Sequence, residues 1–260
     1  MRFLKKLIIV SMIGLLGVTI PVAAADKKPM DIPNHVLSIS DENTSPNSTK
    51  DEITLEPSEF VKELLKDSKV AIDNPDLIQQ LNETTIKPSP LAIGYRGSIY
   101  LGHWPLHYRS DQSKVNWEYQ KINTNTLNNG GSDVKKTVTY NQLSEAHIKG
   151  ALMTKVDQPD QIKKMMLLTA KQSTKLPLSF HTVVGKDTKK SHAYAVPTKK
   201  QGELQAYAPA VNEKGIITYG EVYIQLKGSN KELIVKNVTK QEVAAWIPIQ
   251  DYVSFSFSIK

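Results

Sequence analysis

Leu204 to Thr239 reads "LQAYAPAVNEKGIITYGEVYIQLKGSNKELIVKNVT", and the way this stretch is parsed decides the fold. Its Val, Ile, Leu, Tyr and Ala residues show no helical period, and "NEKG" (212–215) and "KGSN" (227–230) have turn composition. It reads as two or more β-hairpins. The chain closes on "DYVSFSFSIK", where Val253, Phe255, Phe257 and Ile259 alternate with Ser254, Ser256 and Ser258. That alternation is a strand buried on one face.

Working outward, "LAIGYRGSIYLG", "VNWEYQKI", "VKKTVTY" and "AHIKGALMTKV" are aromatic or β-branched, and "SDQS" (110–113) and "NTNTLNNGGSD" (123–133) divide them as loops. Strands in sequence with no helix between them pair antiparallel. A helix is expected at about 158–171, where Ile162, Met165, Met166 and Leu168 or Thr169 share a face, and two more at about 57–68 and 75–83. Asn74 and Pro75 are the cap and first position of the last of these. The fold class is therefore α+β, an extensive antiparallel sheet with a few helices, behind a flexible N-terminal arm. Two organisations of the body 57–260 stay open: two β-rich subdomains (about 84–157 and 176–260) around a central helix, or one domain. No residue-level repeat supports a duplication.

The first 25 residues combine Arg2, Lys5 and Lys6 with the apolar run Leu7–Ile20 and an Ala-x-Ala at Ala23 and Ala25. This is a secretory signal peptide, with cleavage expected after Ala25. Fourteen residues at ~1.5 Å each are short of a ~30 Å bilayer core. The chain has no cysteine, which removes a lipoprotein anchor, a disulfide framework and thiolate metal chemistry. Residues 26–56 read as an acidic, poorly ordered arm whose one apolar patch is Val36–Ile39. Asp31–Glu59 carries a net charge of −6 and Phe60–Lys260 about +9. For an exported protein that split points to wall polymers or anionic headgroups, and away from nucleic acid.

His103 and His107 in "YLGHWPLHY" (100–108) have a helical metal-ligand spacing, but Pro105 lies between them in a β-forming run. In a strand they would stand roughly 13 Å apart, too far for one ion. No metal and no cofactor is expected. His147 reads as solvent-facing and His181 as an edge histidine. "GKDTKKSHAYAVPTKK" groups Lys186, Lys189, Lys190, Lys199 and Lys200 against Asp187 alone. These lysines, with His103, Trp104 and His107, are the candidate ligand-binding residues; a solvated hairpin is the plain alternative for the lysines. "SDVK" (132–135) fits Ser-x-x-Lys, without the companion motifs and in a loop. No nucleotide-binding, zincin or nucleophile-elbow motif occurs, and no catalytic residue is assigned. Paired carboxylates would come together only in the fold.

Taken together, "NPDLIQQLNE", "PLAIGYRGSIYLG", "NWEYQKINTN", "TKLPLSF", "YAPAVNEKGIITYGEVYIQLKG", "VKNVT" and "AWIPIQDYVSFSFSI" resemble the YfkD-like family of secreted proteins from Gram-positive spore-forming bacteria. The resemblance runs from about Ile32 to the C-terminus. It implies an exported bacterial protein and carries over no catalytic or ligand residue. The expectation is an exported, non-enzymatic envelope protein that binds a wall polyanion, an anionic lipid surface or a protein partner. A wall-active or phosphate-ester hydrolase with a dispersed site is the alternative, and a structural protein that oligomerises through a strand edge is a third reading.

Overall fold

The computed structural model describes residues 31–48, 56–84, 94, 96–228 and 230–260. The expected signal peptide lies outside them. In chain order the elements are β1 (Val36–Ser38), α1 (Glu59–Lys66), α2 (Pro75–Glu83), β2 (Arg96–Asn128), β3 (Lys136–Asn141), β4 (Ala146–Lys149), β5 (Ala151–Leu152), α3 (Pro159–Thr174), β6 (His181–Val184), β7 (Lys189–Val196), β8 (Gln201–Lys227), β9 (Asn230–Pro248) and β10 (Tyr252–Ile259).

The stretch read as several hairpins is mostly one strand. β8 runs without interruption for 27 residues, roughly 85 Å of contour at ~3.3 Å per residue. One of its edges pairs with β2 from end to end. Its other edge pairs with β9 over residues 210–227 and with β10 over 202–207. All of these pairings are antiparallel, and the main sheet runs β1-β10-β8-β9-β5 with β2 on β8. Strands from both sides of α3 therefore share one sheet.

Only one of the two expected turns is a turn. At "KGSN", Lys227 pairs with Asn230 across the hairpin, and Gly228 takes the left-handed φ of 61° that such a loop needs. "NEKG" stays inside β8 because its polar residues have partners there. Glu213 is fully buried, and its carboxylate accepts hydrogen bonds from Tyr108 Oη at 2.9 Å and Ser113 Oγ at 2.5 Å. Gly215 marks a close approach: a Cβ there would lie 2.1 Å from Arg109 O and 2.7 Å from Tyr108 Oη. The expected breaks at "SDQS" and "NTNTLN" are likewise absorbed into β2. β2 uses 33 residues where β8 uses 27, six more, taken up at five register shifts, one of them between Ser110 and Gln112. Such bulges bend the longer strand and increase its twist.

β8 also links three cores. Its buried positions are Leu204, Ala206 and Ala208, then Val211, Ile217 and Tyr219, then Val222 and Ile224, so the buried parity changes twice. The first set packs with Val138, Tyr140, Ile148, Val184, Val253 and Phe255, under the small sheets β3–β7 and β4–β6. The second packs under α3 through Ile162, Met165, Met166 and Ala170. The third lies under α1 and α2 through Val61, Leu64, Leu77 and Leu81. Full burial of an aliphatic side chain such as Leu77 or Leu81 stabilises by about 2 kcal/mol. The helices match their expected positions. Ser58 caps α1 by accepting from Val61 N, and Asn74 caps α2 by accepting from Asp76 N and Leu77 N. Asn74 also donates to Pro105 O at 2.6 Å and Gln161 Oε1 at 2.9 Å, which bolts α2 to β2 and α3.

Residues 31–48 of the expected arm are built into the body. The patch Val36–Ser38 extends the sheet as β1 on β10, and Ile39 is fully buried in the first core. That short patch had an edge to pair with, and the polar residues after it found backbone partners.

Two outcomes check this description. Gly215→Ala is expected to cost about 3 kcal/mol or more in chemical denaturation, because the obstructing atom is backbone. Gly131→Ala, with open space around it, should leave stability within about 0.5 kcal/mol. Burial pushes the Tyr108 phenol up, with the Glu213 carboxylate adding to it, and burial pushes Tyr140 up. Above pH 10, near the ordinary phenol value, the unfolded chain releases protons that the folded chain keeps. Stability should therefore fall as pH rises from there, and two tyrosines should ionise only on unfolding, as read by phenolate absorbance.

Candidate functional site

The residues singled out in the sequence do not form one site. His103 and Trp104 stand opposite Glu221 and Gly220, on the C-terminal half of β8, whereas Lys199 and Lys200 immediately precede its start. The twenty steps from Gln201 to Glu221 span roughly 65 Å of strand. His103, Trp104 and His107 are used locally. The His103 ring stacks on Tyr219, with centroids 5.5 Å apart, and its carbonyl accepts from Gln158 Nε2 at 2.7 Å. Trp104 Nε1 donates to Leu101 O at 2.9 Å, and its ring packs against the third core. His107 Nδ1 meets Asp73 Oδ2 at 2.7 Å, fastening the α1–α2 connection to β2. Register shifts after Tyr100 and Pro105 interrupt the alternation of faces along this run. Tyr108 points the other way, into the buried contact with Glu213.

The five lysines divide between the two ends of β7. Lys186, Lys189 and Lys190 are at its start, and Lys199 and Lys200 follow its end. Lys190 Nζ is held by Glu42 Oε1 at 2.5 Å, an ion pair between body and arm. At the other end the fold adds two lysines from the strand-like segment "VKKTVTY". β3 pairs with β7 so that Lys136 faces Val196, and the fully buried Asn129 ties the two loops together. Its Nδ2 donates to Val134 O at 3.0 Å, Val196 O at 3.0 Å and Pro197 O at 3.1 Å. Its backbone N–H donates to Lys200 O, and its carbonyl accepts from Lys199 N–H. Lys135, Lys136, Lys199 and Lys200, all exposed, thus project from one fastened knuckle.

A second site was not anticipated. Between the arm and the β4–β6 sheet lies an open cavity of about 450 Å³ lined by Ser45, Asn47, Glu145, His147, His181 and Gln250 among others. β4 pairs with β6 so that His147 faces Val183, two residues from His181. The two imidazoles are therefore diagonal neighbours on one face, with Nδ1 of His147 3.4 Å from Nε2 of His181. His147 Nε2 contacts Glu145 Oε1 at 2.9 Å, and Ser45 Oγ donates to Glu145 Oε2 at 3.1 Å. His147 is half exposed, as its alternation with Glu145 and Lys149 indicates. His181 arrives from beyond α3, and only the β4–β6 pairing reveals the neighbourhood. The arm walls one side of this cavity and is held there through side chains. Asn43 and Asn47 each donate to Val183 O and to Asp251 Oδ1, and accept from the backbone N–H of Gly185 and Val183 respectively.

These features describe an antiparallel β protein with a docked N-terminal segment, a lysine knuckle at one end of the sheet and a histidine-bearing cavity beside the arm. The chain belongs to the YfkD-like protein family, which matches residues 33–260. It is 49% identical over 257 residues to the uncharacterised protein YfkD of Bacillus subtilis strain 168, covering 99% of this chain and 96% of that one. No solved structure matches the chain. Among the described residues, no helix is long and apolar enough to cross a membrane.

Asn43→Ala removes the acceptor for Gly185 N–H and two donated hydrogen bonds from a buried position. A loss of about 2 kcal/mol is expected, and limited proteolysis should cleave the 31–48 segment faster than in the parent. Glu42→Gln breaks only a partly exposed ion pair and should cost under about 1 kcal/mol.

Proposed function

We propose that this chain is an exported, non-enzymatic protein of the cell envelope whose lysine knuckle holds an anionic, phosphate-bearing wall polymer. The observation that carries this reading is the fastening of Lys135, Lys136, Lys199 and Lys200 around the buried Asn129. Solvated lysines that only protect strand edges need no common anchor, whereas four lysines on one fastened backbone meet repeating phosphates without ordering flexible loops. The surplus of about +9 on Phe60–Lys260 favours approach of the same ligand. Export rests on the tripartite N-terminal sequence. The Glu42–Lys190 ion pair gives the acidic segment a part in the reading, since it occupies one lysine of the other β7 end.

A hydrolase is the weaker reading. In the cavity Ser45 donates to Glu145 and not to an imidazole, so the serine lacks the histidine base that activates a serine nucleophile in the Ser–His arrangement.

Retention on purified anionic wall polymer is the test. The parent should be retained at low salt and released at high salt. A lysine near an anionic surface contributes about 1 kcal/mol, so reversing both Lys199 and Lys200 to Glu should weaken retention by at least about tenfold, and Lys189→Glu by less. Absent or salt-insensitive retention would overturn the proposal. Retention on anionic vesicles but not on polymer would overturn the polymer as the ligand.

A further inference from the structure

The cavity beside the arm carries a second proposal that does not depend on the first. We propose that His147 and His181 form a binding site for a borderline divalent transition metal ion of the zinc, nickel or copper type, with Glu145 orienting His147.

The hydrogen-bond chain sets up the argument. The Glu145 carboxylate can only accept, so its 2.9 Å contact with His147 Nε2 places the His147 proton on Nε2. In the neutral ring Nδ1 of His147 then carries the lone pair, and it faces Nε2 of His181. Their separation of 3.4 Å is long for a hydrogen bond, whose usual donor–acceptor distance is about 2.9–3.0 Å. The rings face each other with centroids 5.6 Å apart and an interplanar angle of 20°, and the same spacing also fits an ion between the two nitrogens. Two nitrogens each about 2.05 Å from one tetrahedral ion stand about 3.3 Å apart. A ligating histidine also ordinarily donates its other ring N–H to a carboxylate or carbonyl, which fixes the ring and raises its basicity. Glu145 takes that place for His147, and Ser45 Oγ in turn donates to the far oxygen of Glu145.

The site is a pair and not a complete cage. Among the described residues no set of three or more His, Asp or Glu side chains converges to hold a metal. The open cavity leaves room for water or an oxygen ligand at the remaining positions. Lys149 stands directly opposite His181 in the strand pairing and contributes a nearby positive charge. That charge favours an anionic oxygen as the added ligand. Imidazole donors select against magnesium and calcium, and for the first-row series they follow the order in which copper binds tightest.

Zinc titration of the untagged full chain tests the site. One ion per chain is expected to bind, with copper binding tighter and millimolar magnesium not competing. His147→Ala and His181→Ala should each weaken zinc binding at least tenfold. Glu145→Gln should weaken it by about tenfold, the lower end of the usual effect of a second ligand shell. His35→Ala and His192→Ala serve as controls that should not change it. On the parent protein, substoichiometric copper should broaden the ring resonances of two histidines out of six before the others. This second measurement holds even if a variant fails to fold. No zinc binding, binding unchanged in the His147→Ala/His181→Ala double variant, equal competition by magnesium, or broadening that begins at other histidines would each overturn the proposal.

Discussion

The constraint on which this structure depends is that β8 must be paired along both edges. A strand of 27 residues presents backbone donors and acceptors on two sides, and an unpaired edge of that length would be a template for association with other chains. β2 satisfies one edge, and β9 and β10 in succession satisfy the other. β8 can then change its buried face twice without losing its ladder, because the pairing does not depend on which face is covered. Each change of face begins a new core, and each core has its own cover: two small sheets, then α3, then the α1–α2 pair.

This explains why some of the fold was legible in the sequence and some was not. Helices α1, α2 and α3 were legible because each has a local signature, such as the cap at Asn74 with Pro75 behind it, or the apolar face through Ile162, Met165 and Met166. The final strand was legible because Val253, Phe255 and Phe257 keep one period. β8 was not, since reading "NEKG" as a turn is sound unless Tyr108 and Ser113 are known to stand opposite Glu213. Those partners come from about a hundred residues upstream. β2 was cut into pieces for a related reason. Its five register shifts destroy the period-2 signal, and Asn123 and Asn125, which look like loop residues, donate their amides to Asn141 O.

The candidate sites followed the same rule. Lys199 and Lys200 were visible as part of a charge run, but Lys135 and Lys136 joined them only through the β3–β7 pairing and Asn129. His147 was correctly read as facing solvent, while its partner His181 lay 34 positions away behind α3. The pair His103 and His107 drew attention because their spacing is local, and local spacing is what a sequence displays. In the structure each of those two side chains has a fastening role of its own.

Position in the fold separates fastening residues from available ones. His107 and Trp104 lie where α1 and α2 must be held against the third core, so their polar atoms are already committed to Asp73 and Leu101. The lysine knuckle and the histidine cavity both belong to the first core, which is roofed by two small sheets in place of a helix. Such sheets close their core with few side chains and leave the outward face of each strand free for polar groups. The N-terminal segment then meets this roof at several points: Ile39 enters the core, Asn43 and Asn47 grip β6, Glu42 pairs with Lys190, and Ser45 reaches Glu145. A change at the cavity therefore bears directly on how the segment is held.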